Sequence, residues 1–378
     1  MGNCNWLRIP RALLIAAIAL ALSAGMASGR DGTTPSRAVH IRTISSTVPS
    51  NGDVNPYGVF QVPTTVGMLT EGSILVSNFN NSANLQGTGT TLVEITPRGS
   101  LSLFAQIDAS ALPGPCPGGV GLTTALVVLR SGWVIVGSLP TTDGTSATAQ
   151  AGCLIVLDSN GKVATTITDS QINGPWDMTV FDETTEPGQS GRATLFVTNV
   201  LNDTVAGGGN IVKEGTVVRI VLNVPAGGPP SVGSLKMIGS GFPERTDPAA
   251  LVIGPTGVAL NQDSTILYVA DSLNNRIAAI ANPLTRKSTG KTGTTVSSGG
   301  SLNDPLGMTL AGNGDILTTN GNDGFLVETT PNGAQVSTTL LDSTGSPPGA
   351  GTLFGLIDVS GLGVVFVDDG SNTLNLFR

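Results

Sequence analysis

The segment Leu267–Ile277, with the sequence LYVADSLNNRI, decides the fold of this chain. Its apolar run ends at Asp271, a short stretch rich in Ser and Asn follows, and a second apolar run begins after Arg276. Aromatic and β-branched residues favour strands, whereas Asp and Asn favour the turns that join them. The segment therefore predicts two antiparallel strands joined by a tight turn.

The first half of this pattern recurs six times along the chain. Six β-rich runs end in a small or polar pair: Ile74–Asn78, Val134–Ser138, Leu195–Asn199, Leu267–Asp271, Ile316–Asn320 and Val364–Asp369. A short step that usually ends in glycine precedes each of them: Pro56–Gly58, Gly119–Gly121, Pro175–Asp177, Pro255–Gly257, Pro305–Gly307 and Leu353–Gly355. The third step ends in Asp177 instead of glycine. We call these steps the openers.

A third apolar run follows in each unit, and turns such as Ser159–Gly161 and Pro331–Gly333 lead into a fourth, since Asn-Gly favours hairpins. Each unit is thus predicted to be a four-stranded antiparallel meander, and the chain an all-β, six-bladed β-propeller. The last unit ends after its third strand, so we expect the N-terminal strand Ala38–Thr47 to close the ring. The long third unit also has room for an extra hairpin, which leaves seven blades open.

Composition and the N-terminus limit the possible functions. The chain has 18 Lys and Arg against 26 Asp and Glu, a net charge of −8, which argues against nucleic acid as a partner. Arg8 and Arg11 precede an apolar run over Ala12–Leu22, so residues 1–29 are predicted to be a secretory signal. Residues 30–37 would be a linker and residues 38–378 the propeller. We expect a secreted or periplasmic monomer without a membrane span after signal removal.

The chain resembles the NHL-repeat propellers most plainly at Leu267–Ile277, and weaker copies of the motif occur at Val76–Asn78, Val197–Asn199, Thr318–Asn320 and Val367–Asp369. The resemblance implies a six-bladed fold, and similar proteins range from binding scaffolds to lyases and lactonases. The lyases depend on histidines, whereas this chain has only His40. Gluconolactonase-like propellers hold a divalent metal through an early glutamate and through Asn or Asp near later openers. Here Tyr57 and Thr256 stand at such places, so no cofactor is expected; if calcium or another divalent cation binds, Asp177 is the candidate ligand.

The openers and the ends of the second strands should meet at one face of the propeller, which is the expected ligand site. Tyr57, Trp176 and Phe354 either line its mouth, where they could stack on a sugar ring, or pack between blades. Four further side chains carry oxygens or nitrogens near this face: Asn199, Asp271, Asn320 and Asp369. These either contribute to a site with Asp177 or hold the following turns.

Three functions remain open. The favoured hypothesis is a binding or scaffold protein that uses the face with Tyr57, Trp176, Asp177 and Phe354 to bind an unknown protein, small molecule or carbohydrate. The alternative is a metal-assisted hydrolase or lactonase that uses Asp177. The third is a purely structural module. No Ser-His-Asp set or Gly-x-Ser-x-Gly elbow indicates nucleophilic catalysis.

Two cysteines, Cys116 and Cys153, lie within the propeller segment, in one proposed unit. In an oxidising compartment such a pair is a candidate disulfide. Two buried free thiols would look the same in the sequence.

Overall fold

The computed structural model describes residues His40–Arg378, so the predicted signal peptide and linker lie outside the described residues. Within that range, no helix is long and apolar enough to cross a membrane.

Six antiparallel sheets form the blades of a β-propeller, which confirms the predicted fold. Blade 1 contains β2 (Val54–Gln61), β3 (Ile74–Asn80), β4 (Thr91–Ile95) and β5 (Leu101–Gln106). Blade 2 contains β6 (Leu122–Val128), β7 (Val134–Ser138), β8 (Cys153–Leu157) and β9 (Val163–Ile167). Blade 3 contains β10 (Pro175–Asp182), β11 (Gly191–Asn199), β12 (Val212–Val224), β13 (Ser231–Asp247) and β14 (Leu251–Ile253).

The other three blades have four strands each. Blade 4 contains β15 (Pro255–Leu260), β16 (Ile266–Asp271), β17 (Arg276–Ala281) and β18 (Thr294–Ser298). Blade 5 contains β19 (Pro305–Leu310), β20 (Ile316–Asn320), β21 (Phe325–Thr329) and β22 (Gln335–Leu340). Blade 6 contains β23 (Leu353–Val359), β24 (Gly363–Asp368), β25 (Thr373–Phe377) and β1 (Ile41–Ser46). Short 3₁₀ turns occupy Ala109–Ala111, Ser146–Thr148 and Ser272–Asn274.

The N-terminal strand closes the ring, as the sequence predicts. Strand β1 pairs antiparallel with β25, from Ile41 opposite Phe377 to Ser46 opposite Thr373. The last blade therefore combines both ends of the described chain in one sheet. This pairing covers the edge that β25 would otherwise expose.

The extra length of the third unit is used within a single blade. Strands β12 and β13 have 13 and 17 residues, and their hairpin extends from Asn223 opposite Ser231 to Val212 opposite Glu244. The short strand β14 then pairs with the end of β13. Six blades are therefore present, and blade 3 differs from the prediction by having a fifth strand.

Hydrophobic cores lie between neighbouring blades. Val76 and Val93 of blade 1 pack in one buried cluster with Val365 and Val367 of blade 6, for example. Each blade therefore buries both of its faces against its neighbours. This arrangement explains how a chain longer than a usual single core of about 250 to 300 residues forms one ring.

Hydroxyl groups near the ends of the second strands link some blades to the next. Thr198 Oγ1 accepts a hydrogen bond from Asp177 N at 3.1 Å and donates one to Thr256 O at 2.8 Å. Ser77 and Thr319 make the corresponding pairs of bonds in blades 1 and 5. A Cβ at the opener glycine Gly58 would approach Thr124 O to 2.8 Å, so a side chain there would separate the blades.

The opener of blade 2 lies three residues later than the sequence suggested. Leu122 pairs with Ser138, as Pro56 pairs with Asn78 in blade 1, and Ser77 Oγ donates to Thr123 O. Thr123 therefore takes the position in the ring that the sequence assigned to Val120. The glycines on both sides of Val120 resemble an opener in the sequence. The true opener is harder to recognise, because strand β6 has one more residue in its bulge than β2 has.

Cys116 and Cys153 form a disulfide bond, with their Cα atoms 5.2 Å apart. The bond joins the loop before β6 to the first residue of β8, within blade 2.

Candidate functional site

Two cavities lie at opposite ends of the inner strands, which run along the central channel. The upper cavity, of about 520 Å³, is lined by residues that precede these strands or follow the second strands. The lower cavity, of about 220 Å³, is lined by residues further along the inner strands, such as Val59, Met178 and Leu356.

An aromatic cluster separates the two cavities. The ring of Tyr57 stacks on Phe354 at 3.9 Å and on Phe79 at 4.4 Å, and lies 5.6 Å from the ring of Trp176. Tyr57 and Phe354 line the upper cavity, whereas Trp176 packs in the same core without lining the cavity. Of the three aromatic residues predicted from the openers, two thus reach the site and Trp176 supports them.

Residues immediately before two of the openers point to the same cavity. Asn55 and Asp304 line it, and both have left-handed backbone, with φ of 60° and 58°. Asn and Asp tolerate this conformation better than other non-glycine residues. Their N–H groups donate to the side-chain oxygens of Asn372 and Asn275, at 2.7 and 2.6 Å. An asparagine in the turn of the preceding blade therefore holds each residue in place.

Two carboxyl groups in the upper cavity have raised pKa values. Burial, and after it the charge of the neighbouring Asp368, raises the pKa of Asp369 to about 7. Burial and the charge of Asp247, partly opposed by Arg245, raise the pKa of Asp304 to about 6. Both groups can therefore exchange protons near neutral pH.

The hydroxyl of Tyr57 lies in the same environment. Burial raises its pKa well above the ordinary value, the charge of Asp369 raises it further, and a hydrogen bond with Asn55 opposes the rise. Tyr57 therefore stays protonated near neutral pH and can donate a hydrogen bond.

Several oxygens on the cavity wall have no hydrogen-bond partner among the described residues. They are Asn55 Oδ1, Asn80 Oδ1, Gln86 Oε1 and Asp304 Oδ1. An unpaired buried polar atom costs roughly 1 to 3 kcal/mol. These four oxygens belong to residues of the cavity wall but are themselves buried beneath its surface.

Extended loops build a wall on one side of the cavity. The hairpin of β13 and β14 carries Arg245 and Asp247, which form an ion pair at 2.6 Å. The Nε2 of Gln86, in the loop of blade 1, donates to Ala249 O at 2.7 Å. The loop of blade 2 joins them through Thr141 Oγ1, which donates to Gln86 O at 2.6 Å. Loops of blades 1 and 2 thus meet the β13–β14 hairpin of blade 3 beside the cavity.

Three of the predicted site residues do not line the upper cavity. Asp271 is fully buried and pairs with Arg276 at 2.7 Å. Asn320 Nδ2 donates to Ser301 O and to Asp323 Oδ1, at 2.9 and 2.8 Å. Asn199 is fully buried, and its Oδ1 has no hydrogen-bond partner among the described residues. Asp271 and Asn320 thus contact the turns that follow their strands, whereas Asn199 makes no such contact.

Asp177 lies in the lower cavity, away from Asp304 and Asp369. Its Oδ2 accepts a hydrogen bond from Val258 N, in the next blade, at 2.9 Å. Trp176 and Asp177 are adjacent in β10, so the sequence could not show that the aromatic layer separates the Asp177 carboxylate from the upper cavity.

Sequence reasoning missed Asn55, Asp304, Arg245 and Asp247. A signal for the first two exists in the sequence, because a polar residue precedes the opener proline in Asn55-Pro56 and Asp304-Pro305. Arg245 and Asp247 had no such signal, since the hairpin that carries them is peculiar to blade 3.

Comparison with solved structures identifies the class of fold. A gluconolactonase from Xanthomonas campestris superposes with a TM-score of 0.53 at 12% identity, over 90% of this chain and 89% of that one. A putative gluconolactonase gives 0.55 at 13% identity, over 90% and 92% of the two chains. A calcium-binding regucalcin from Agrobacterium tumefaciens gives 0.53 at 13% identity, over 89% and 93%. The fold is thus that of the gluconolactonase-like six-bladed propellers.

No family model and no curated protein sequence matches the chain. The structural comparisons correct the favoured functional hypothesis, because the similar propellers are named as a gluconolactonase, a putative gluconolactonase and a calcium-binding regucalcin rather than as scaffolds. The binding or scaffold interpretation was therefore wrong, and the alternative hydrolase interpretation has the better support.

Proposed function

We propose that the protein is a lactonase-type hydrolase that opens a lactone or ester bound in the upper cavity. The observation that carries this proposal is the placement of Asp369 and Asp304, with pKa values of about 7 and 6, in one cavity with the Tyr57 hydroxyl. The proposal keeps the hydrolase hypothesis of the sequence analysis, but it places the catalytic residues in the upper cavity instead of at Asp177.

Asp369 is proposed as the general base. A base works best when its pKa is close to the working pH, because it is then deprotonated and still basic enough to accept a proton. Ionised Asp369 accepts a proton from the water molecule that attacks the ester carbon. The Tyr57 hydroxyl donates a hydrogen bond to the oxygen that becomes negative, which stabilises the tetrahedral intermediate. As the intermediate collapses, the bond from the carbonyl carbon to the leaving oxygen breaks, and protonated Asp369 returns its proton to that oxygen.

The cavity also fits a divalent cation. Asn55 Oδ1 and Asp304 Oδ1 are buried and lack a partner among the described residues, and amide and carboxylate oxygens are the ligands that calcium prefers. No three His, Cys, Asp or Glu side chains within His40–Arg378 form a group that could hold a metal, so amide oxygens would have to complete the set. A cation held there would polarise the ester carbonyl.

Two features of the chain support an extracytoplasmic location for the proposed enzyme. The apolar run near the N-terminus and the disulfide Cys116–Cys153 support export to an oxidising compartment, so we infer a secreted or periplasmic enzyme. The asparagines Asn275 and Asn372, which hold the residues before two openers, support the NHL-type description of the repeats.

The test is a screen of lactones and esters with the signal-free chain, with calcium and with EDTA. Asp369→Asn is expected to lower kcat by about 100-fold or more. Asp263→Asn is the matched control, because Asp263 is exposed and lies outside the cavity. Activity should fall about tenfold per pH unit below pH 7, because protonated Asp369 cannot act as a base. Absence of hydrolysis on every compound, or an unchanged kcat in Asp369→Asn, would contradict the proposal.

A further inference from the structure

The lower cavity contains one carboxyl group in apolar surroundings. Asp177 is 8% exposed, and the walls include Leu126, Met178, Met308 and Leu356. The upper cavity does not share these residues, because the aromatic cluster around Tyr57 lies between the two. The proposed hydrolase activity therefore leaves Asp177 unused.

Within residues 40–378, no cationic side chain lines the cavity beside Asp177. Every other described residue of the lining is apolar, threonine or glycine, so Asp177 is the only titratable group among them. Burial raises the pKa of Asp177 to about 7, and the N–H groups of Val258 and Met178 lower it in part. No charged side chain contributes to that shift.

A second polar residue lines the cavity. Thr124 is 6% exposed, and its Oγ1 makes no hydrogen bond within the described chain. The cavity wall thus contains a neutral hydroxyl residue in addition to the Asp177 carboxylate, and no basic side chain.

We propose that the lower cavity is a binding site for a small primary ammonium ion with a short apolar chain, paired with Asp177. The ammonium group replaces the missing positive charge beside the carboxylate, and the alkyl chain packs on Leu126, Met308 and Leu356. This site is separate from the proposed hydrolase site and does not depend on it.

The composition of the wall favours an organic ammonium ion over a metal ion. Calcium takes about 6 to 8 oxygen ligands. Asp177 is the only carboxylate among the residues that line the cavity, and the other side-chain oxygens of the wall are the neutral hydroxyls of Thr124, Thr179 and Thr309, too few for such a set. An alkylammonium ion needs one carboxylate and gains from the apolar walls.

The experiment uses n-butylammonium chloride as the probe, titrated into the signal-free protein by calorimetry at pH 8. Asp177→Asn should weaken binding at least tenfold, because Asn keeps an acceptor for Val258 N but removes the charge. Asp304→Asn, in the upper cavity, is the matched control and should bind normally. Binding to the wild-type protein should weaken about tenfold between pH 8 and pH 6, since Asp177 becomes protonated near pH 7 while the probe stays charged.

Two further measurements keep the proposal falsifiable if Asp177→Asn folds poorly. The first is Leu310→Trp, which fills the cavity from a partly exposed position and should also abolish binding. The second is n-butanol, a neutral probe that should bind far more weakly than n-butylammonium. Equal binding of n-butanol, or an equal loss in Asp304→Asn, would overturn the proposal. Binding of calcium instead of the ammonium probe, dependent on Asp177, would also overturn it.

Discussion

At the scale of single residues, the structure separates side chains that hold the ring from side chains that face a ligand. The asparagines Asn275 and Asn372 are themselves in left-handed conformation, with φ of 47° and 53°, and orient Asp304 and Asn55 towards the upper cavity. Turn residues that look purely structural therefore position the proposed site. Their substitution should disturb the upper cavity before it disturbs the fold.

The hydroxyl link through Thr198 gives a test at this scale. Thr198→Val should lower the free energy of unfolding by about 1 to 3 kcal/mol, because Asp177 N and Thr256 O lose a buried partner. Thr194→Val, at a buried position of the same strand that takes no part in the link, is the matched control. Chemical unfolding of both variants measures the difference. Equal stability of the two variants would show that the link contributes nothing.

At the scale of elements, local extensions decide the shape of the site. The hairpin of β13 and β14 extends one blade, and its Ala249 carbonyl meets the Gln86 side chain of blade 1 above the channel. Blades 4 to 6 contribute shorter segments, since their second and third strands are joined by short turns. The wall of the upper cavity therefore combines the extended segments of blades 1 and 3 with turn residues of blades 4 to 6, such as Asn275, Asn322 and Gly351.

The disulfide provides a test at this scale. Its two cysteines are separated by 37 residues, and a cross-link of this kind stabilises mainly by restricting the unfolded chain. Cys116→Ser combined with Cys153→Ser should lower the free energy of unfolding by about 2 to 4 kcal/mol. Guanidinium unfolding measures this loss, and a reductant should produce the same loss in the wild-type protein but none in the variant. A wild-type midpoint that a reductant leaves unchanged would contradict the expectation.

At the scale of the whole molecule, buried carboxyl groups in several blades make the stability of the folded propeller depend on pH. Burial raises the pKa of Asp177 to about 7 and that of Glu244 to about 8, and Asp304 and Asp369 are raised as well. The folded protein therefore holds protons that the unfolded chain, with carboxyl pKa values of about 4, has released. The stability contributed by these four groups is greatest below their unfolded pKa values and is lost as pH rises through their folded pKa values.

Thermal unfolding at several pH values tests this expectation. The Tm should be lower at pH 8 than at pH 5, by on the order of 5 °C. Glu244→Gln should flatten the dependence, because Glu244 is fully buried and accepts hydrogen bonds from Asn202 N and Thr204 Oγ1. Glu186→Gln is the control, since Glu186 is exposed. A Tm that rises from pH 5 to pH 8 would contradict the raised pKa values.

The sequence by itself determined the repeat, and through it the blades and the closing strand. Alternating apolar runs and Asn-rich turns are local signals, because strand and turn preferences depend on neighbouring residues. The motif Leu267–Ile277 and the incomplete last unit were thus enough to predict a ring closed by β1.

Only the tertiary structure decided the site. Whether Asp177 faces the same cavity as Tyr57 depends on how strands from different blades surround the channel. A local sequence pattern does not contain this information. The arrangement of Asn55, Asp304 and Asp369 around one cavity likewise combines three blades that are distant in sequence. A site built across a closed ring therefore becomes visible only when the blades are placed side by side.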